Sequence, residues 1–241
     1  VYKATIKDKV VLQLQADNEI IGYVKYPLND VGLKHILNEK KAFDILSEKK
    51  LIDSFLLFDS YEEIPFLILK ELDGEIKQSD SKDINSILDK YKKSKSFLLK
   101  EHPRILQLQE ALKAYDLHNY LSVLRDVCST SKQTYQEVFE HGDFAPWNLI
   151  QTDKDCVPFD FEYFEEDGLE YLDEIKYHFQ IEHLLNGKTG FELIDMISTK
   201  VDIKEFIIIF QIFLIKEILK NKESKQSIQL EESLFKALNH D

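Results

Sequence analysis

A chain of 241 residues is long enough for one large domain or two lobes sharing a cleft, and it buries enough surface to need no covalent staple. A composition of 44% hydrophobic and 31% charged residues excludes a disordered chain, and only two cysteines, Cys128 and Cys156, exclude a disulfide scaffold and a cysteine-rich zinc module. The formal net charge of −13, with Arg104 and Arg125 the only arginines, excludes a nucleic-acid binder, which needs a basic surface.

Taken in chain order, Tyr2 to Ile6 predicts a first strand. Val10 to Gln15 and Glu19 to Tyr26 predict a hairpin around the turn residues Ala16-Asp-Asn-Glu19. Residues 31 to 49 carry Ile36, Phe43 and Leu46 at helical spacing, and Leu51 to Ser60 and Pro65 to Leu72 predict two further strands. The turn-rich Asp73-Gly74, followed by Gln78-Ser-Asp-Ser-Lys82, marks a boundary between a lobe at 1–75 and a lobe at 76–241. From about residue 83 the pattern reads as helical. Ile105, Leu108, Leu112 and Tyr115 share one face, and Leu169 to Leu185, Phe191 to Ser198, Lys204 to Leu219 and Gln229 to Leu238 continue the run. Residues 141 to 163 are the exception, with Asn148 to Thr152 and Cys156 to Glu162 forming a hairpin around Asp153-Lys-Asp155. The fold class is therefore α+β, a small β-rich lobe with one helix followed by a larger, mainly helical lobe. The most apolar stretch, Phe206 to Ile215, is interrupted by Gln211 and falls short of the roughly 20 residues of a membrane span, so it predicts a buried helix. The chain begins at Val1 and opens with no signal peptide, and a cytoplasmic location is expected.

Chemistry concentrates in His141-Gly-Asp-Phe-Ala-Pro-Trp-Asn148, which sets an acid and an amide five residues apart in a proline-containing loop. Across the hairpin, Val157-Pro-Phe-Asp160-Phe-Glu162 puts another acid between phenylalanines, where its desolvation demands a partner such as a metal ion. The Asp160 carboxylate and the Asn148 amide oxygen are hard ligands that suit Mg2+, with coordination positions left for phosphates and water. Asp143 is then free to accept a proton. Asp143 and Asn148 as mere turn formers, with Asp160 as a strand-end cap, would explain any one of these residues but not their joint spacing. In the first lobe, Glu39 falls on the apolar face of its helix, three residues after Ile36 and four before Phe43, and a buried carboxylate there requires a cation. Lys25, on the neighbouring strand, is the candidate.

These segments resemble the catalytic loop and metal-binding segment of the protein-kinase-like fold, in its aminoglycoside phosphotransferase and choline kinase branch, whose His-x-Asp-x-x-x-x-Asn loop precedes a metal-binding Asp. The resemblance implies a bilobal kinase-like fold, Asp143 as catalytic base, and Asn148 and Asp160 as Mg2+ ligands. It implies that His141 packs the loop and that Asp173 steadies it. It implies that Lys25, paired with Glu39, contacts the nucleotide phosphates, and that Lys70, Glu71 and Leu72 form a hinge whose backbone holds the base of ATP or GTP. Gly142 stands where protein kinases usually carry an arginine that reads a phosphorylated activation loop, which favours a small-molecule kinase. The loop is also similar to those of bacterial phosphotransferases acting on sugars. The expected acceptor is accordingly a hydroxyl of a sugar, an aminoglycoside-like compound or an amino alcohol.

Two features depart from the pattern. None of the seven glycines precedes Gly22, so a glycine-rich phosphate-covering turn is absent, replaced by a non-glycine turn near Lys7 to Lys9 or trimmed away. This motivates the rival reading of a pseudokinase-like binding module. Glu162 stands where protein kinases have the glycine of the metal-binding triplet. A metal-dependent phosphatase using the same acids is a further reading, and it would need neither Lys25 nor Glu39. Between Glu162 and Glu174, seven of thirteen residues are acidic; this is a solvated face with favourable charge at a helix start, or a site that attracts a cationic acceptor. His178 and His183, five apart, have the wrong spacing for two ligands on one helix face and are expected to be structural.

Overall fold

The computed structural model describes residues 8–53, 57–76, 78–79 and 81–238. In chain order these form β1 (Lys9–Ala16), β2 (Glu19–Pro27), α1 (Asp30–Glu48), β3 (Leu57–Tyr61), β4 (Ile64–Lys70), β5 (Glu75–Ile76) and α2 (Ser81–Tyr91). Next come β6 (Lys92–Leu98), α3 (Pro103–Ala114), α4 (His118–Thr130), β7 (Thr134–Glu140), β8 (Leu149–Gln151), β9 (Cys156–Pro158) and β10 (Glu165–Leu169). Four helices close the chain: α5 (Leu172–Gln180), α6 (Gly190–Ser198), α7 (Phe206–Glu223) and α8 (Gln229–Leu238). One compact unit runs through Lys90 and takes in 141–143 and 147–165; a second holds the other described residues. The expected strand Tyr2 to Ile6, and part of the strand expected at Leu51 to Ser60, lie outside the described residues.

The first unit is built on an antiparallel sheet of order β1-β2-β4-β3. Its two hairpins turn on paired left-handed residues, Asp17 and Asn18 in one and Glu62 and Glu63 in the other, the geometry that matches the twist of the flanking strands. Helix α1 begins where Asn29 accepts the Gly32 N–H at 3.0 Å, which satisfies one of the free amides of the first turn. It buries Ile36, Phe43 and Leu46 as their spacing predicts, each such side chain contributing about 1.5–3 kcal/mol, and Glu39 with them. A second sheet, β5-β8-β9, carries the hairpin expected downstream of the loop, but that hairpin is shorter than predicted. The ladder ends at Leu149↔Pro158 because the chain then bends away, with Asp160 left-handed at φ +66°.

In the second unit the helical reading needs correction. The segments Lys92–Leu98, Thr134–Glu140 and Glu165–Leu169 are strands, joined in a sheet of order β10-β7-β6. The apolar alternation that marks a strand is broken there by charges that find partners after folding: Lys93 reaches Glu137 at 2.7 Å and Asp167 at 3.2 Å. The helix expected from Leu169 therefore starts at Leu172, and a π-helical turn, Ile181–Leu185, extends it. Helix α7 is buried along nearly its whole length, from Ile209 to Leu219, and packs with Leu108, Leu112, Leu124, Ile175 and Leu193 into the core. This is the buried helix expected of Phe206 to Ile215. Among the described residues no helix is long and apolar enough to cross a membrane.

Candidate active site

Lys25, Glu39 and Asp160 meet in the first unit through the geometry of two hairpins and one helix. Lys25 lies in β2 and projects toward α1, where its ammonium is 2.7 Å from both carboxylate oxygens of Glu39. It also reaches Asp160 Oδ1 at 2.5 Å. Lys25 and Glu39 are buried, at 6% and 0% exposure, so neither is the surface residue that it would be in isolation. Burial alone would push the Lys25 pKa down, but the negative charges of Asp160 and Glu39 outweigh it and hold the value raised. Burial would likewise raise Asp160, yet Lys25 and Lys9 hold its carboxyl well below the usual carboxylate range. The site thus keeps a full negative charge on Asp160 and a full positive charge on Lys25 at neutral pH.

The loop is fixed by its histidine. Asp143 N–H donates to His141 Nδ1 at 3.3 Å, so the proton of the neutral ring sits on Nε2, which donates to the Phe159 carbonyl at 2.9 Å. His141 is fully buried, with its ring 4.6 Å from that of Phe161. It therefore ties the loop to the segment bearing Asp160 and leaves both ring nitrogens engaged. Asn148 completes the frame. Its Nδ2 donates to the Asp143 carbonyl at 2.9 Å and to Asp143 Oδ2 at 3.3 Å, which turns the amide oxygen the other way. The Asn148 carbonyl accepts the Phe159 N–H at 3.0 Å, so the hairpin register itself brings Asn148 beside the strand end that leads to Asp160.

The donor set fits Mg2+. It offers one ionised carboxylate and one amide oxygen, both hard, at the open end of a hairpin, and Mg2+ is usually held by one or two protein ligands with phosphates and water supplying the rest. Among the described residues no cluster of three or more His, Cys, Asp or Glu forms a closed cation cage.

Gly142 has a local reason of its own. Its φ is +80°, and a Cβ there would lie 2.0 Å from the Tyr163 carbonyl oxygen. The arginine that protein kinases carry at this place could not be seated. Gly142→Ala is expected to lower stability by about 1–3 kcal/mol through backbone strain, read as a lower urea midpoint at unchanged slope.

Other expected residues lie elsewhere. Lys70 ends β4 opposite Gly22, and the Glu71 N–H donates to the Ile21 carbonyl at 3.4 Å, with Leu72 next in the chain. Asp173 is buried in the first turn of α5, in the second unit. The acidic run has much of its charge matched: Glu162 by Lys9, Asp167 by Lys93, and Glu170 by the Gln136 N–H at 2.6 Å. His183 Nδ1–H donates to the Lys188 carbonyl at 3.0 Å, while burial pushes His178 down to about 4, and neither joins a metal cluster.

Two contributors carried no recognisable sequence signal. Asn38, one residue before Glu39, donates from Nδ2 to the carbonyls of Glu162 at 3.1 Å and Phe164 at 2.9 Å, and so locks α1 to the chain beyond Asp160. Lys9 sits 3.3 Å from Asp160 Oδ1 and also contacts the Glu162 carboxylate.

No protein-family model matches the chain, and no curated protein sequence matches it. Solved structures do. The chain is similar to a choline/ethanolamine kinase family protein from Mesorhizobium loti at 13% identity and TM-score 0.58, covering 100% of this chain and 88% of that one. It is similar to the choline kinase LicA from Streptococcus pneumoniae at 15% identity and TM-score 0.56, covering 100% and 92%. An ADP-bound aminoglycoside phosphotransferase, APH(2'')-Ib, matches at 17% identity and TM-score 0.50, covering 98% and 90%. The chain has the protein-kinase-like fold in the form that choline kinases and aminoglycoside phosphotransferases share, as its motifs led one to expect.

Proposed function

We propose that this protein is an Mg2+-dependent small-molecule kinase that moves the γ-phosphoryl of ATP or GTP to a hydroxyl group. The observation that carries the reading is the convergence of Glu39 and Asp160 on the Lys25 ammonium. A buried ammonium shared by two carboxylates is poised to exchange one of them for phosphate, and a phosphatase built on Asp143 and Asp160 alone would have no use for it. In this reading residues 1–75, with Lys25 and the Lys70–Leu72 hinge, bind the nucleotide, and 76–241 supply the catalytic loop and the acceptor site. Asn148 and Asp160 would hold Mg2+, which when bound neutralises charge developing on the phosphate oxygens. Asp143 takes the proton of the acceptor hydroxyl as its oxygen bonds to the γ-phosphorus and the bond to the β-phosphate oxygen breaks. The nucleoside diphosphate leaves. Asn148 Nδ2 holds the Asp143 carboxylate in place for that transfer. His141 orients the loop and takes no proton, and Asp173 supports it. The acceptor is a sugar, an aminoglycoside-like compound or an amino alcohol; the likeness to choline kinases and an aminoglycoside phosphotransferase supports the last two classes, and the net charge of −13 favours a cationic one. Activity is expected in the cytoplasm.

Nucleotide at a hundredfold excess over its Kd should raise the melting temperature by about 5–10 °C in the presence of Mg2+. Asp160→Asn should remove that rise while the protein stays folded, because Lys25 keeps Glu39. An undiminished Mg2+-dependent shift in the variant would take Asp160 out of the metal site. Nucleotide binding with no phosphate transferred to any acceptor would favour a binding module instead.

A further inference from the structure

Backbone N–H groups of a turn can wrap a nucleotide's phosphates, and a lysine ammonium can contact them as well. At the head of β1 the structure puts a lysine ammonium. Lys9 Nζ lies 3.3 Å from Asp160 Oδ1, contacts Glu162, and comes from a side chain only 18% exposed. The residue before it, Asp8, is held at three points. The Asp8 carbonyl accepts the Leu28 N–H at 2.8 Å, and the Asp8 carboxylate accepts Asn29 Nδ2 at 3.0 Å. Gly32 approaches so closely that a Cβ on it would lie 1.8 Å from the Asp8 carbonyl oxygen. The β1–β2 register then sets Lys9 opposite Pro27, two residues from Lys25. The result is two ammoniums on one carboxylate oxygen, Asp160 Oδ1, arriving from adjacent strands.

The two ammoniums share Asp160, Lys25 holding Glu39 besides and Lys9 holding Glu162. When Asp160 engages a cation, Lys25 retains Glu39 and Lys9 retains Glu162, so both ammoniums stay beside the carboxylate that would hold the metal. We propose that Lys9 is a second phosphate-binding lysine, its ammonium contacting the nucleotide's phosphates beside that of Lys25. The proposal rests on the nucleotide-binding reading above and adds to it a residue that sets affinity for the polyphosphate. A lysine on a fixed backbone is suited to this role, because its three donors and point charge adapt to phosphate oxygens without a shaped loop.

The test compares AMP, ADP and ATP, and the guanosine series in parallel, by isothermal titration with Mg2+ on wild type, Lys9→Met, Lys9→Gln and Lys9→Arg. Losing one charge-assisted contact should weaken triphosphate binding about tenfold or more, with the loss growing from mono- to triphosphate, and Lys9→Arg should recover most of it. A purely structural Lys9–Glu162 tie would instead lower the melting temperature and weaken all three nucleotides alike, or none. Either result would overturn the proposal. Lys9→Gln, which keeps a hydrogen bond to Glu162, supplies the binding measurement if Lys9→Met is too unstable to titrate. Wild type that binds no nucleotide at all would sink the kinase reading itself, an outcome distinct from wild type that binds while the Lys9 variants bind equally well.

Discussion

Asp143→Asn should reduce phosphoryl transfer by about 10²–10⁴-fold while nucleotide affinity stays within twofold of wild type. The substitution is isosteric, and the new amide oxygen can still accept the hydrogen bond from Asn148 Nδ2 that Asp143 Oδ2 now accepts at 3.3 Å. The Asp143 N–H that reaches His141 Nδ1 belongs to the main chain and is untouched. Loop geometry therefore survives, and what disappears is the capacity to take a proton. The measurement is the initial rate of ADP or GDP release with a hydroxylated acceptor, alongside a Kd by titration. A fall in kcat with unchanged Kd assigns proton acceptance to Asp143. Turnover near the wild-type rate would reject it as the base and leave the loop a binding element only. A change at Lys25 separates the kinase reading from the phosphatase one, since a phosphatase built on Asp143 and Asp160 would keep its hydrolysis without that ammonium.

The legible parts of the site were those where one residue contradicts its neighbours. Glu39 on an apolar helix face needs a cation, and that need alone pointed to Lys25, which the structure sets 2.7 Å away. Asp160 between two phenylalanines posed the same problem, and its partners are the two lysines. Lys9 was illegible as a participant because it is 151 residues from Asp160 and stands in no local pattern. The sheet β10-β7-β6 escaped for a related reason. Strand β6 reads Lys-Lys-Ser-Lys-Ser-Phe-Leu, with no apolar alternation, and β10 opens on three acids. Their ladders with β7 and the pairing of Lys93 with Glu137 and Asp167 are long-range facts, so the pairing overrode weak local propensity. Helices α3, α6, α7 and α8 were legible because their burial is one-sided or complete and is written in apolar spacing.

Glu140, the last residue of β7 and the one before His141, is the position where a single change should cost most stability. Its side chain is fully buried, with Oε1 2.5 Å from Lys216 Nζ and Oε2 3.6 Å from Arg104 Nε, and Oε2 also accepts the Leu169 N–H at 3.4 Å. Both cations are nearly buried too. Burial would raise the Glu140 pKa, but Lys216 and Arg104 outweigh it and hold the value below its usual 4.5. Glu140→Gln leaves two buried cations without their anion, a loss of about 3–5 kcal/mol and so a melting temperature lower by roughly 10 °C. Lys216→Met added to Glu140→Gln should recover a large part of that loss, since it removes the orphaned charge. Strict additivity of the two changes would show that the pair is not coupled. The pH dependence follows from the direction of the shift. A depressed native pKa means the ion pair's contribution is complete above the ordinary glutamate value and is lost as pH falls through the native one. The stability gap between wild type and Glu140→Gln should therefore be constant near neutrality and narrow below about pH 4.5. A gap unchanged down into that range would mean that the cost of the substitution comes from packing rather than from charge.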